Sequence, residues 1–170
     1  KGCPVRFVTA YGPRENETHA IIALIYKAVE HMDPYEIWGN GQQERDFTYV
    51  KDIVSGTVLC AEKISDMTPV NLGTGNRYKM VEVAKMIFKI LGWEPKELSF
   101  DTSKPTGAVS RALDNTRAKE LLGWEPEYDL ETGLRETIDW YVKTHKIEGK
   151  INHDILLENN PSEKSDIENQ

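Results

Sequence analysis

The chain has 170 residues, of which 39% are hydrophobic and 29% charged, which suits one globular domain with a solvated surface. A formal net charge of −7 gives no general attraction for nucleic acid or an anionic membrane, so any anionic ligand must be held by a few local cations. Two cysteines exclude a disulfide framework, and no apolar run approaches the ~20 residues of a membrane span, which together predict a reduced, cytoplasmic protein.

Apolar periodicity predicts short strands that alternate with helices. Asn16 or Thr18 is expected to cap the first helix, and Asp114 a later one. The polar segment 148–170 lacks periodicity and is expected to be disordered, with local docking only at 151–157. The predicted elements are a strand at 5–10, a helix at 18–31, strands at 35–38 and 47–50, a helix at 50–63, a strand at 69–72, a helix at 80–91, a strand at 98–100, and helices at 114–122 and 130–143.

The pentapeptide Leu-Gly-Trp-Glu-Pro occurs twice, at 91–95 and 122–126, each time after a predicted helix. The glycine can supply the left-handed residue that ends a helix, the tryptophan can pack back on the last turn, and the proline prevents continuation. We interpret the repeat as a helix-stop device. The alternative is that the tryptophans stack on a base or a sugar.

The most informative stretch for function runs from Glu36 to Asp52, where a strand, a glycine turn and Arg45 precede an aromatic strand. An arginine there can present its planar fork to phosphate oxygens, and glycines let the backbone approach a ligand closely. Arg111, after a proline–glycine loop, is a second candidate, so two arginines could clamp a diphosphate. The alternative is a surface hairpin in which Arg45 pairs with Asp46 or Glu44, and a solvated Arg111.

Other kinds of site find little support. The four histidines show no metal-ligand spacing with each other or with the cysteines, so no metal site is predicted. Gly73-Thr74-Gly75 follows a predicted strand, but it lacks the third glycine of a dinucleotide loop. We therefore interpret it as a strand-to-helix turn.

Four segments resemble the extended short-chain dehydrogenase/reductase family, which includes sugar-nucleotide epimerases, dehydratases and decarboxylases. Residues 6–14 are similar to its R-x-x-N-x-Y-G-P-R element, and residues 37–52 to its G-D-G-x-Q-x-R-D-F-x-Y-V-x-D segment. Residues 71–75 resemble N-[IL]-G-x-G, and residues 122–141 resemble the C-terminal L-G-W-x-P segment with its G-L-x-x-T-[IV]-x-W-[YF] continuation. The resemblance covers about residues 5–143. It implies an α/β fold, the C-terminal substrate-binding part of an extended Rossmann-fold epimerase, with a small mixed sheet and several helices.

The resemblance also implies roles for individual residues. Arg45 and Arg111 match the arginines that bind the diphosphate of the sugar nucleotide. Thr9 stands where the family commonly has an asparagine that contacts substrate, a contact that a hydroxyl could replace. The remaining matches are Glu36, Ile37 and Trp38 along the nucleotide base, Tyr11, Gly12 and Pro13 near the nicotinamide end of the cofactor, and Arg14 and His19 close to the substrate.

The family's cofactor and catalytic motifs have no counterpart in these 170 residues, which contain neither G-x-x-G-x-x-G nor Tyr-x-x-x-Lys. The chain is therefore expected to be the C-terminal half of such an enzyme, inactive alone, with NAD(P) bound by the full-length protein. The expected division is a Rossmann remnant at 1–14, a nucleotide-sugar-binding domain at 15–147 and a tail at 148–170. The expected partners are a sugar nucleotide and the missing Rossmann half, and a homodimer is left open, whereas nucleic acid and membrane are not expected.

Two alternatives remain open from the sequence: a stand-alone, non-catalytic nucleotide-sugar-binding or regulatory module, and an interaction domain without a ligand. The strand at 5–10 would belong to the Rossmann sheet of the whole enzyme. In this chain alone it is expected to have an unpaired edge, which favours self-association or local disorder.

Overall fold

The computed structural model describes residues 1–147. Within this part of the chain, nine strands and five helices form an α/β fold, as predicted. The strands are β1 Val5–Phe7, β2 Thr9–Tyr11, β3 Tyr35–Trp38, β4 Glu44–Arg45, β5 Phe47–Tyr49, β6 Val70–Leu72, β7 Tyr78–Lys79, β8 Leu98–Asp101 and β9 Ser110–Arg111. The helices are α1 Ala20–Val29, α2 Val50–Lys63, α3 Met80–Leu91, α4 Thr116–Leu122 and α5 Leu130–His145.

The strands form four small sheets. Three are parallel pairs, β1 with β6, β2 with β5 and β3 with β8. The fourth has the order β7-β4-β9, in which β4 runs antiparallel to β7 and parallel to β9. Parallel neighbours need long crossover connections, so each pair joins segments that lie far apart in the sequence.

The helix-stop prediction is confirmed at both copies of the repeated pentapeptide. Gly92 and Gly123 have φ values of 65° and 69° and end α3 and α4 in the left-handed conformation. Trp93 packs edge-on against Phe88 of the last turn of α3, and Trp124 is buried beside α4. Both tryptophans therefore serve as packing residues at helix ends.

The main core lies between α1, α3 and α5 and the inner faces of β2, β3 and β5, where most side chains are fully buried. A second core packs α2 and α4 against β6. The edge-on contact of Tyr35 with Phe88, with ring centres 4.7 Å apart, ties β3 to α3. The main core holds β3 and β5, two of the strands that carry the candidate site.

The segment predicted as one strand at 5–10 is two strands, because the chain bends at Val8 to pair with two different partners. The helix predicted from Asp114 begins at Thr116, and Asp114 instead accepts a hydrogen bond from the Thr116 N–H in a turn before it. Neither Asn16 nor Thr18 caps α1, whose N-cap is His19.

The predictions for 148–170 lie outside the described residues. Within residues 1–147, no helix combines the length and the apolar character needed to cross a lipid bilayer.

Candidate functional site

A cavity of about 420 Å³ opens between α1, β3, β4 and the loop that precedes β9. Its wall is mostly apolar, with few polar groups, as in many small-molecule sites. Five of the predicted site residues line it, namely Thr9, Glu36, Ile37, Trp38 and Arg45. The other lining residues are Thr18, Ala20, Ala23, Leu24, Lys27, Gln43, Phe47, Met80, Pro105 and Thr106.

Strand β3 presents one edge of its backbone to this cavity. Tyr35 N–H donates to Glu97 O and Gly39 N–H donates to Asp101 O, so the odd-numbered positions face β8. The backbone groups of Glu36 and Trp38 are out of phase with these and face the opposite edge. There, Glu36 O accepts from Lys27 Nζ at 2.9 Å and Trp38 O accepts from Gln43 Nε2 at 2.7 Å.

The side chains of Glu36 and Trp38 lie on the same face of β3, while Ile37 points into the core. The Trp38 indole N–H donates to Glu36 Oε1 at 3.1 Å, and Lys27 Nζ lies 3.6 Å from the same oxygen. Lys104 Nζ lies 5.6 Å from the centre of the Trp38 ring, a cation–π contact. One end of the cavity thus carries a cation and an anion side by side next to an exposed aromatic ring.

Arg45 is held in place by backbone carbonyls. Its Nη1 donates to Glu44 O at 2.6 Å and to Ala108 O at 2.7 Å, and its Nη2 donates to Thr106 O. No carboxylate among residues 1–147 pairs with Arg45, so the alternative of an ion pair with Asp46 or Glu44 is wrong. Its Nε–H and one N–H of Nη2 remain for a ligand, since a guanidinium carries five donors.

Arg111 is the partner of Arg45 in the parallel pairing of β4 with β9. It is exposed, and no contact within the described part of the chain engages its guanidinium. It does not line the cavity itself, but the strand pairing places it beside Arg45. The structure therefore brings the two predicted arginines together from segments more than sixty residues apart.

Asp46, next in sequence to Arg45, is fully buried and organises the opposite side of β4. Its carboxylate accepts hydrogen bonds from Thr74 N–H at 3.1 Å, Gly75 N–H at 3.0 Å and Leu113 N–H at 3.2 Å. Thr74 Oγ1 donates to it as well, at 2.6 Å. The Thr48 hydroxyl donates to it too, at 3.4 Å. A buried carboxylate with five donors anchors the glycine turn and the segment after β9 to β4, which steadies both arginine-bearing strands.

The same contacts decide the role of the Gly73-Thr74-Gly75 turn. A dinucleotide loop offers backbone N–H groups to a pyrophosphate, but here the N–H groups of Thr74 and Gly75 are taken by Asp46. This turn therefore does not fit a dinucleotide. It leads into the short strand β7 before α3, where a direct turn into the helix was predicted.

The remaining predicted residues lie between the last residue of β2, Tyr11, and the N-cap of α1, His19. The Tyr11 side chain is buried and its hydroxyl donates to Leu130 O at 3.3 Å. Gly12 has a φ of 152°, and a Cβ there would lie 2.5 Å from Val50 Cγ1, so a side chain is excluded. Arg14 and His19 are exposed and do not line the cavity, and His19 Nδ1 lies 3.1 Å from Glu15 Oε1.

Sequence reasoning missed the helical wall of the cavity. Ala20, Ala23, Leu24 and Lys27 of α1 line it together. Their spacing of three, four and seven residues marks one face of a helix, and this signal was available in the sequence. The small side chains of Ala20 and Ala23 leave open space opposite β3, and Lys27 adds a cation at the end of the cavity next to Glu36.

Comparisons with known proteins agree with this architecture. Residues 2–137 match the family model described as GDP-mannose 4,6 dehydratase. The chain is 31% identical to GDP-L-fucose synthase 1 of Arabidopsis thaliana over 78% of its length, and 35% identical to GDP-mannose 3,5-epimerase of the same plant over 89%. The alignments cover 43% and 41% of those proteins, so the chain spans less than half of the curated relatives.

Solved structures show the same likeness. The crystal structure of UDP-glucose 4-epimerase from Thermotoga maritima with UDP-glucose aligns with a TM-score of 0.78 and 30% identity over 84% of this chain and 46% of that one. UDP-glucuronic acid 4-epimerase from Bacillus cereus, in complex with UDP-glucuronic acid and NAD, aligns with a TM-score of 0.75 and 30% identity over 82% of this chain and 45% of that one. The chain therefore belongs to the GDP-mannose 4,6-dehydratase family, within the extended short-chain dehydrogenases/reductases related to NAD-dependent sugar-nucleotide epimerases and dehydratases.

Proposed function

We propose that this chain binds a sugar nucleotide, with Arg45 and Arg111 on the diphosphate and the cavity beside β3 around the base. The observation that carries the proposal is the pairing of the two arginines on adjacent strands at the edge of a largely apolar cavity. Two guanidinium groups can hold the oxygens of a diphosphate by charge-assisted hydrogen bonds. The chain's net charge of −7 makes such local cations necessary.

The preorganisation of Arg45 supports this role. Three backbone carbonyls orient its side chain before a ligand arrives, so binding loses less side-chain entropy than it would for a free arginine. Arg111 adds a cation that has no partner of its own within residues 1–147. Thr9, at the cavity wall, can donate a hydroxyl hydrogen bond to the ligand.

For the whole protein, we infer an NAD(P)-dependent epimerase or dehydratase in which this chain is the substrate-binding half. The UDP-glucuronic acid 4-epimerase from Bacillus cereus, which is nearly twice as long, binds UDP-glucuronic acid and NAD, and the 170 residues here contain no Tyr-x-x-x-Lys motif. NAD(P) would supply reversible hydride transfer in that protein. The residues of this chain would hold the nucleotide away from the reacting carbon, which positions the sugar for the chemistry.

Thermal unfolding of the 170-residue chain in the presence of UDP-glucose and GDP-mannose tests the binding. A ligand at a hundred times its Kd adds about 2.7 kcal/mol to the unfolding free energy, which raises the Tm by at least about 5 °C for a domain of this size. The double variant Arg45→Ala, Arg111→Ala should lose this increase. Because Arg45 also fixes a loop, the single variant Arg111→Ala, which removes no contact, should be measured beside it.

The matched control replaces Arg6 and Arg117 with alanine. These arginines line a separate cavity of about 340 Å³ with Asn71 and Glu120. The control should keep the ligand-induced Tm increase. If neither nucleotide raises the Tm of the wild-type chain, or if the arginine pair is dispensable for the increase, the proposed function is wrong.

A further inference from the structure

The turn between β3 and β4 contains the dipeptide Asn40-Gly41, and no other asparagine in the 170 residues precedes a glycine. Asn40 is exposed, and its Oδ1 accepts a hydrogen bond from the Gln42 N–H at 3.0 Å. In such a turn the asparagine side chain folds over the backbone of the next two residues. The side-chain carbonyl of Asn40 therefore lies close to the peptide nitrogen of Gly41.

The Gly41 nitrogen is available to react with that carbonyl. Its N–H makes no hydrogen bond within residues 1–147, and glycine has no Cβ to shield the nitrogen from an approaching carbon. The Gln42 N–H already donates to Asn40 Oδ1, so it can stabilise the negative charge that an attack develops on this oxygen. Three consecutive residues thus supply a nucleophile, an electrophile and a donor for the developing oxyanion.

We propose that Asn40 is a site of spontaneous deamidation in the folded chain. The Gly41 amide loses its proton to solvent, and its nitrogen bonds to Asn40 Cγ while the bond from Cγ to the amino group breaks and ammonia leaves. Water then opens the resulting succinimide ring. Attack of water on the Cγ carbonyl yields aspartate, whereas attack on the backbone carbonyl of the same residue yields isoaspartate, in which the chain continues through the side chain. The net reaction consumes water and releases ammonia.

The two products differ in how well the turn accommodates them. Aspartate keeps the normal backbone, but isoaspartate lengthens it by one atom inside a turn that is held on both sides. The Gly39 N–H donates to Asp101 O at 2.8 Å, and Gly41 O accepts from the Val81 N–H at 3.1 Å. A Cβ at Gly41 would lie 2.8 Å from Phe100 Cε1, so the turn has little room for extra atoms. We expect the isoaspartyl form to be the less stable product.

This turn also forms part of the wall of the cavity beside β3. Gln43 Nε2 donates to Trp38 O at 2.7 Å, and both residues line the cavity. The methyl group of Thr106, another lining residue, lies where a Cβ of Gly39 would be. Isoaspartate should therefore disturb this wall as well as the turn. The deamidation itself needs no bound nucleotide, so it stands apart from the proposed function.

Incubation of the native 170-residue chain at neutral pH, followed by brief tryptic digestion and mass spectrometry, tests the proposal. Conversion of an amide to an acid changes the mass of the peptide that contains it. Asn40 falls in the tryptic peptide 28–45, which contains no other asparagine. Treatment with an isoaspartyl methyltransferase and labelled S-adenosylmethionine then identifies the isoaspartyl fraction.

Asn16 is a matched control within the same chain. It is also exposed, and its Oδ1 accepts from the Thr18 N–H at 2.9 Å in the same kind of turn, but the residue that follows it is Glu17. We expect Asn40 to be converted at least about tenfold faster than Asn16, because the Glu17 side chain shields the nitrogen that must attack.

Two variants separate the chemistry from its effect on the fold. Asn40→Gln should lower the conversion at position 40 at least about tenfold, because the longer side chain moves its carbonyl away from the position next to the Gly41 nitrogen. Asn40→Asp, which mimics the aspartyl product, should melt close to wild type. The isoaspartyl fraction of the aged wild-type chain should melt at a lower temperature than Asn40→Asp.

Three results would overturn the proposal or its consequence. If Asn40 stays intact in the native chain under conditions that deamidate a synthetic peptide of residues 36–45, the fold protects it and the site is wrong. If Asn16 is converted as fast as Asn40, the glycine and its turn do not decide the reaction. If the isoaspartyl fraction melts together with Asn40→Asp, the predicted disturbance of the turn is overturned.

Discussion

Arg45 and Arg111 occupy partner positions on adjacent parallel strands, so two cationic side chains lie next to each other at the edge of a cavity. The pKa of the Arg45 guanidinium is below its ordinary value, first because burial disfavours the charged form and second because the charge of Arg111 is near. A guanidinium group stays protonated at neutral pH. The free chain therefore holds an unfavourable charge contact, which a bound anion would relieve.

Reversing the charge at Arg111 should change the free energy of unfolding and the nucleotide affinity in opposite directions. Arg111→Glu places a carboxylate beside Arg45 and should raise the free energy of unfolding by up to about 1 kcal/mol, the usual range for an exposed ion pair. The same change should reduce nucleotide affinity at least tenfold. Urea unfolding and calorimetry measure the two effects, with Arg111→Ala as the neutral reference. A variant that keeps wild-type affinity would contradict the clamp.

Asp46 should be the most important polar residue for stability in this part of the chain. Asp46→Ala leaves the N–H groups of Thr74, Gly75 and Leu113 without their buried acceptor and should cost about 3 kcal/mol of unfolding free energy. Asp101→Ala, which removes an exposed carboxylate bonded to Ser103, is the control and should cost much less than Asp46→Ala. If urea unfolding shows that Asp46→Ala and Asp101→Ala lower the free energy of unfolding equally, Asp46 does not anchor these segments.

Gly133 on α5 provides a test in which two effects have opposite sign. Helix propensity alone predicts that Gly133→Ala stabilises the protein by about 1 kcal/mol. In the structure, a Cβ at this position would overlap the Tyr11 hydroxyl and approach Tyr49, so the variant should instead lose about 1 to 3 kcal/mol. Adding Tyr11→Phe should recover part of the loss in a double-mutant cycle. A Gly133→Ala protein more stable than wild type would refute this packing.

Cys60 should be chemically inert in the native state near neutral pH. Burial, and then the neighbouring Cys3 thiol, raise the pKa of Cys60 to about 11. The thiolate is the reactive form, so alkylation should be slow at pH 8 and accelerate as the pH rises toward 11. Because the folded pKa is raised, the contribution to stability is complete below about pH 9 and is lost as the pH rises through about 11.

Mass spectrometry after iodoacetamide treatment at pH 8 measures this difference. Cys3 is only partly buried and should be modified first, whereas Cys60 should require denaturant. Equal modification of both cysteines in the native protein would contradict the buried placement of Cys60.

Phe7 should promote self-association of the isolated 170-residue chain. Among residues 1–147, β1 pairs with β6 on one side only, and the Phe7 side chain is 54% exposed. An unpaired strand edge with an exposed aromatic side chain favours pairing with a strand of another chain. A lysine at position 7 should disfavour this pairing because its charge would be desolvated or repelled at the contact. Phe7→Lys should lower the apparent mass in analytical ultracentrifugation at high concentration. Leu121→Lys, at an exposed apolar position on α4, should not.

The sequence by itself determined the elements whose signals are local. The apolar periodicity of 50–63 and 80–91 placed α2 and α3 correctly, and Gly92 and Gly123 marked two helix ends. Local rules also placed β3, because alternation along Tyr35–Trp38 is visible without knowing its neighbours. The resemblance of four motifs to extended short-chain dehydrogenases/reductases gave the family, which the comparisons confirmed.

Only the tertiary structure decided the geometry of the candidate site. Strands β4 and β9 have two residues each and carry no periodicity, so their pairing, and with it the meeting of Arg45 and Arg111, depends on contacts between distant segments. The same is true of Asp46, whose backbone N–H donors lie 28 to 67 residues away in the sequence. Short strands and buried carboxylates are stabilised by partners that lie far apart in the sequence, and no local pattern encodes which partners those are.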